Sequence, residues 1–387
     1  MSERIHHLDA LRALTMLLIL PAHALAMIGL SNDGWNGVER TAYWLIHVFR
    51  LPLFFLVAGF FGALLLDARG PRALLLNRLV RIGVPMVVVV AVVAPPLDLL
   101  VQSQMGIHLR SEGIGMFFEF HPSFVWFLWY LTMIYAATLL ARWVLGRLPA
   151  ARDLLLASGF RLLSHWAAPL VLAIPCALAL YRQPMWMAEA PSVSFLPRPD
   201  LLAYYGIFFA CGWIMFAGEG LRRAIELRPQ RYLVLAALAL PPALVLYLLQ
   251  SDPAIGASRG FHVLALLLLS VATWSLTFGL LGLARRFLSE ASPRLRYWAD
   301  ASYWIYLSHL PVMAVLGLVL FETPIPDSLR FALLVLITLG LIFPAYGAFI
   351  RHSAIGRVLH GPRPREPERR RSRRQLTPPA VAAGRRA

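Results

Sequence analysis

The feature that most constrains this chain is the recurrence of apolar runs about 20 residues long, the length an α-helix needs to cross a hydrocarbon core of roughly 30 Å. Bounded by arginine, glycine and proline, ten such runs lie near 11–31, 44–66, 79–101, 123–145, 166–182, 201–218, 231–250, 261–284, 301–321 and 329–350. Lipid offers no hydrogen-bond partner to an open backbone, so spans of this kind satisfy their own amides as helices. The expected fold is therefore all-α, a polytopic integral membrane protein of about ten transmembrane helices. Composition points the same way. With 59% hydrophobic and 14% charged residues, and a mean hydropathy of +0.66, the chain falls outside the range of soluble domains, which carry about a quarter charged residues.

Arginine supplies an independent test of the spans. The net charge of +16 is carried without a single lysine, and the arginines gather in alternate loops. Arg69, Arg72, Arg78 and Arg81 follow the second span, Arg142, Arg147, Arg152 and Arg161 the fourth, Arg222, Arg223, Arg228 and Arg231 the sixth, and Arg285, Arg286, Arg294 and Arg296 the eighth. The loops between hold few: Arg40 and Arg50, Arg110, Arg182 and Arg198, Arg259, Arg330. Basic loops stay on the cytoplasmic side, so both termini are expected there, in a multi-pass protein of the cell inner membrane. A basic excess dispersed in this way argues against a nucleic-acid partner. Residues 1–352 form the membrane domain in this reading, and 353–387, rich in proline and arginine, a basic disordered cytoplasmic tail, either a topogenic segment or a contact for anionic membrane lipid. Cys176 and Cys211 have neither disulfide nor metal-ligand spacing, so no metal is expected.

Ionisable side chains inside spans are costly, roughly 2.5–3.5 kcal/mol for a charged one, and each is a functional candidate for that reason. The first span carries Arg12 and His23. Eleven residues at about 100° each return to within roughly 20° of one helix face, about 16 Å farther along the axis. Arg12 then marks the cytoplasmic boundary and His23 lies near mid-membrane. Such a pair suits a reagent with an anionic head in the cytoplasm and a reactive end in the bilayer, such as acyl-coenzyme A. A guanidinium pairs with phosphate, and a neutral imidazole near the thioester can act as general base on a hydroxyl. The alternative is a boundary arginine and a histidine that merely bonds a neighbouring helix. Pro21 should bend the helix just before His23, because it leaves the Leu17 carbonyl without a donor.

Arg78 and Arg81, three apart at the cytoplasmic start of the third span, can complete a phosphate clamp or simply obey the positive-inside rule. His309, about 12 Å into the ninth span, matches the depth of His23, and the two either share a polar cavity or are separate structural histidines. His47 opens the second span from outside, facing an acceptor or snorkelling to the interface. Asp9 is expected to orient Arg12 or cap the first helix, and Asp300 to cap the ninth. Trp126 and Trp129 read as an aromatic belt or a sugar platform.

The segments LDALRALTMLLILPAHA (8–24), FRLPLFFLVAGFF (49–61), NRLVRIGVP (77–85), WFLWYL (126–131) and YWIYLSHLPV (303–312) resemble the acyltransferase family 3 membrane proteins, over most of the chain to about residue 350. Within that family the likeness is to the glucan biosynthesis C-type proteins, associated with succinylation of periplasmic glucans. The resemblance implies a helical membrane enzyme that takes an acyl group, succinyl or acetyl, from acyl-CoA and places it on an extracytoplasmic glycan, with no bound cofactor. It also implies that Arg12 and His23 are the essential pair and that Arg78 and Arg81 help hold the donor; with it, the leading reading of the residues makes His23 the base and has His309 orient it or stabilise the oxyanion. Ala58 departs from the serine many relatives carry. A transporter of a polysaccharide or lipid-linked intermediate is the competing function, though the repeated halves with paired broken helices that many transporters show are not evident.

Overall fold

The computed structural model describes residues 5–31, 34–105, 123–188 and 195–361. These residues are helical, with no strand among them. In chain order the helices are α1 (His6–Leu17), α2 (Ile19–Ser31), α3 (Gly37–Arg78), α4 (Val84–Val88), α5 (Ala94–Met105), α6 (Trp126–Gly146), α7 (Pro149–Ser164) and α8 (Ala168–Leu180). They continue as α9 (Pro199–Ala217), α10 (Glu219–Glu226), α11 (Pro229–Leu249), α12 (Pro253–Gly256), α13 (Arg259–Leu288), α14 (Pro293–Leu320), α15 (Asp327–Ala345) and α16 (Ala354–His360). Eight stretches are long and apolar enough to cross a bilayer, or nine if α7 and α8, bent by 116°, form one broken span. The chain is a multi-pass membrane protein.

The expected second and third spans both fall within one helical stretch, Gly37–Val101. Gly70 interrupts it at φ 76°, a conformation that favours glycine, just before Pro71, whose ring suits a helix's first turn and not its interior. The expected fifth span is α8, whose 13 residues reach only about 20 Å and fall short of a full core.

Local signals set the elements around the site. The first span is split at Leu18 (ψ −6°), because Pro21 has no N–H for the Leu17 carbonyl and its ring crowds that carbonyl. Asn36 starts α3 with a capping box: its side chain accepts from the Val38 and Glu39 amides at 3.0 Å, and Glu39 accepts from the Asn36 amide at 3.1 Å. Contrary to expectation, Asp300 caps nothing. Ser292 caps α14, with Pro293 in the first turn, so Asp300 lies inside that helix and is buried. Asp9 likewise does not cap α1, whose N-cap is Ile5.

Two close approaches hold these helices in place. Gly59 of α3 and Gly212 of α9 lie where an added Cβ would collide with the carbonyls of Phe209 and Leu56. The missing side chains let the two backbones touch, as in small-residue contacts between membrane helices. At the arginine-rich end of the bundle the buried Glu226 carboxylate accepts from His7 Nε2 at 3.0 Å and from Arg285 Nη1 at 2.5 Å, tying α1, α10 and α13 together. Beyond α15, a π-helical turn at Tyr346–Ile350 leads into α16, capped by Ser353. Leu359 of α16 is buried, and Tyr346 and His360 hydrogen-bond at 3.2 Å. The residues from 362 onward lie outside the described residues.

Candidate active site

Arg12, Arg69, Arg78 and Arg81 line a cavity of about 540 Å3 toward the amino-terminal end of α1, faced among the described residues by two acidic side chains, Asp9 and Asp300. Arg12 pairs with Asp9 at 3.2 Å and sits 5.6 Å from the Phe61 ring; Arg78 lies over Tyr135 at 4.5 Å, and the Tyr135 hydroxyl donates to the Ala58 carbonyl at 2.9 Å. Arg81 rides on a π-helical turn, Leu79–Gly83, whose carbonyl at Arg81 accepts from the Tyr303 hydroxyl at 2.7 Å. Such turns are frequent at functional sites. Four arginines on one concave wall make the cavity strongly cationic, and guanidinium groups are suited to phosphate oxygens.

Beyond this cavity lies a smaller chamber, about 30 Å3, lined by His23, Arg50, Thr15, Tyr306 and Trp126 among apolar neighbours. The two spaces share three wall residues, Met16, Phe54 and Phe127, with the Phe54 and Phe127 rings edge to face at 4.7 Å. α1 and α2 meet at Leu18 within one span, His6–Ser31. Arg12 opens into the large cavity and His23 into the chamber, with Met16 between them.

His23 and His309 are brought into contact across 286 residues, Nδ1 to Nε2 at 2.6 Å. Their planes differ by 13° and their centroids lie 4.8 Å apart, the geometry of an in-plane hydrogen bond rather than a face-to-face stack. The neighbours fix the tautomers of the neutral pair. His309 Nδ1 lies 2.7 Å from the Tyr306 carbonyl, which only accepts, so Nδ1 carries the proton. The His309 Nε2 lone pair then accepts from His23 Nδ1–H. This leaves a lone pair on His23 Nε2, the arrangement a general base requires, with a partner that stabilises the imidazolium it becomes.

The other expected residues are placed apart from the chamber wall. Asp9, Arg12, Arg78 and Arg81 belong to the large cavity. His47 bonds the Tyr43 carbonyl at 2.8 Å and stacks on the Tyr43 ring at 4.0 Å. Trp129 donates to the Phe195 carbonyl at 3.0 Å, whereas Trp126 is part of the chamber.

Arg50 was hidden from the sequence reading, where it counted as a loop arginine. It is 5% exposed, lines the chamber with His23, and among the described residues its Nε and Nη1 find no hydrogen-bond partner. The available signal was its place inside the apolar run, two residues before Pro52. His360 and Leu359 of α16 also line the large cavity.

An acyltransferase domain family model matches residues 5–347. The chain is 24% identical over 330 residues to the glucans biosynthesis protein C of Escherichia coli K12, covering 82% of this chain and 84% of that protein. The protein of the same name from Shigella dysenteriae serotype 1 matches with equal identity and coverage. No solved structure matches. A family match over nearly the whole length, on a helical membrane fold with a hydrogen-bonded histidine pair beside an arginine-lined cavity, leaves one assignment: the chain belongs to acyltransferase family 3 and is a membrane acyltransferase.

Proposed function

We propose that this enzyme moves a short acyl group, succinyl or acetyl, from cytoplasmic acyl-CoA to a hydroxyl of an extracytoplasmic glycan, with His23 as general base. The observation that carries the proposal is the pairing of an arginine-lined cavity with a histidine chamber across the shared wall of Met16, Phe54 and Phe127. Coenzyme A carries several phosphate charges, which Arg12, Arg78 and Arg81 suit, with Asp9 holding Arg12 in place. The thioester end then reaches past Met16 toward His23, and the glycan hydroxyl arrives from the opposite side. The arginine-rich loops beside the large cavity support a cytoplasmic position for it, where acyl-CoA is made. The curated relatives are named for glucan biosynthesis, so a glucan is the first acceptor to test.

In the transfer, His23 Nε2 takes the hydroxyl proton as the oxygen attacks the thioester carbon. Collapse of the adduct breaks the carbon–sulfur bond, and the proton passes to the departing thiolate. His309 holds Nδ1–H of His23 throughout. The test is mass spectrometry of extracytoplasmic glycans from cells carrying the wild type, His23→Ala or no copy. The wild type should add a mass equal to one acyl group that both other strains lack. A glycan profile identical in all three would contradict the proposal.

A further inference from the structure

The chamber contains a base, but a hydroxyl adding to a thioester also needs a positive partner for the carbonyl oxygen, which acquires the electron pair of the C=O double bond. Most hydrogen-bond donors in the chamber wall are already engaged. Thr15 donates its hydroxyl to the Leu11 and Arg12 carbonyls, each at 3.0 Å, and Tyr306 donates to the Phe124 carbonyl at 3.3 Å. Behind the wall, His309 uses one nitrogen to donate to the Tyr306 carbonyl and the other to accept from His23. Trp126 brings a neutral indole. Arg50 alone in this wall brings a charged group, and its Nε and Nη1 are shielded from solvent without a partner among the described residues.

We infer that Arg50 is a further catalytic residue, whose guanidinium stabilises the oxyanion that forms on the thioester carbonyl as His23 removes the hydroxyl proton. The inference rests on the acyl-transfer reading above. Two features of the site support it. A buried, underbonded guanidinium costs folding energy in the resting protein, and an anion placed against it relieves that cost only when the anion is present. The chamber of about 30 Å3 has room for about two waters, so a group that meets Arg50 there lies within a bond or two of the atom that meets His23. The carbonyl oxygen is such a group. The charges balance: the hydroxyl proton goes to His23 Nε2, the C=O electron pair to the oxygen facing Arg50, and on collapse that pair reforms C=O while the thiolate leaves.

The experiment uses the purified full-length protein in nanodiscs, radiolabelled acetyl-CoA or succinyl-CoA as donor, and the extracytoplasmic glycan fraction of a strain lacking the protein as acceptor. Arg50→Gln should lower kcat about 100- to 1,000-fold with both donors, the loss seen when a charge-stabilising donor is removed. Donor Kd should stay within about threefold, and Arg50→Lys should recover part of the rate. Arg50→Met covers the case in which Arg50→Gln does not fold. It replaces a buried charge with an apolar chain, so it should fold at least as stably as the wild type and show the same loss of turnover. A kcat within about threefold of wild type in a folded variant would overturn the inference. So would a loss confined to succinyl-CoA, which would mean that the guanidinium pairs with a carboxylate on the acyl group. The controls separate the levels: an unlabelled glycan with wild type defeats the acyl-transfer reading itself, and a fully active His23→Ala defeats its general base. An inactive His23→Ala beside an active Arg50→Gln defeats only the role of Arg50.

Discussion

Replacing His309 by alanine removes the acceptor for His23 Nδ1–H without touching the arginine cavity. The bond is short, 2.6 Å, and becomes charge-assisted when His23 takes a proton. Hydrogen bonds to charged groups contribute about 1.5–3 kcal/mol net. Because this one strengthens in the transition state, that energy comes off kcat, at about 1.36 kcal/mol per tenfold. His309→Ala should therefore turn over about 10- to 150-fold more slowly, with donor KM unchanged. His309→Gln supplies a side-chain carbonyl that accepts from the same N–H and should recover part of the loss. The assay is release of the coenzyme A thiol under saturating donor. A folded His309→Ala at wild-type kcat, or a defect expressed in donor KM rather than kcat, would refute the reasoning.

Gly212→Ala places a methyl group against the Leu56 carbonyl and forces α3 from α9; overpacking of this kind costs about 1–3 kcal/mol and should lower the thermal midpoint, and an unchanged midpoint would show that the contact is loose. Glu226→Gln leaves His7 and Arg285 without their anion. Because Arg285 is 30% exposed, the loss should fall toward the lower end of the roughly 3–5 kcal/mol expected for a broken buried pair, read by denaturation in detergent, with no loss meaning that water replaces the carboxylate. His360 is held below the ordinary imidazole range, first by burial and then by Arg81, Arg351 and His352, against the pull of its bond to the Gly361 carbonyl. Its folded form stays neutral while the undocked form takes up a proton below about pH 6.5, so α16 docking weakens as pH falls from there toward the folded value. Once corrected for the intrinsic chemical rate, which itself slows as pH falls, amide exchange over 354–361 should report a larger opening equilibrium at about pH 5.5 than at about pH 7.5, and a pH-independent opening equilibrium would contradict the assignment.

Much of the architecture was legible because two signals of different origin coincide, the length of the apolar runs and the alternation of arginines between them. The match in depth between His23 and His309 was also visible, since a 1.5 Å rise converts sequence position into height in a bilayer. Their hydrogen bond was not, because rotation of α2 against α14 is set by packing. The helical wheel placed Arg12 and His23 on one face, and each lines one of two adjoining spaces with Met16 in the wall of both. Arg50 escaped because the charge-alternation argument treats every arginine near a run's end as loop, although this one lies inside α3. Asp300 was misassigned as a cap although Ser292 and Pro293 already spelled a helix start, and the run of apolar residues drew the boundary too late. The His7–Glu226 bond joins residues 219 apart, a pairing that no local pattern encodes.

The claim on which the account depends is a division of labour, with phosphate held by one cavity and proton transfer performed in the other. The most direct measurement is acyl-CoA affinity and turnover, side by side, for Arg78→Gln/Arg81→Gln and for His23→Ala in the same nanodiscs. The arginine variant should lose about 10-fold or more in donor affinity, and His23→Ala should bind the donor as the wild type does while losing about 100- to 10,000-fold in kcat. Equal loss of affinity in both variants, or normal binding by the arginine variant, would contradict it.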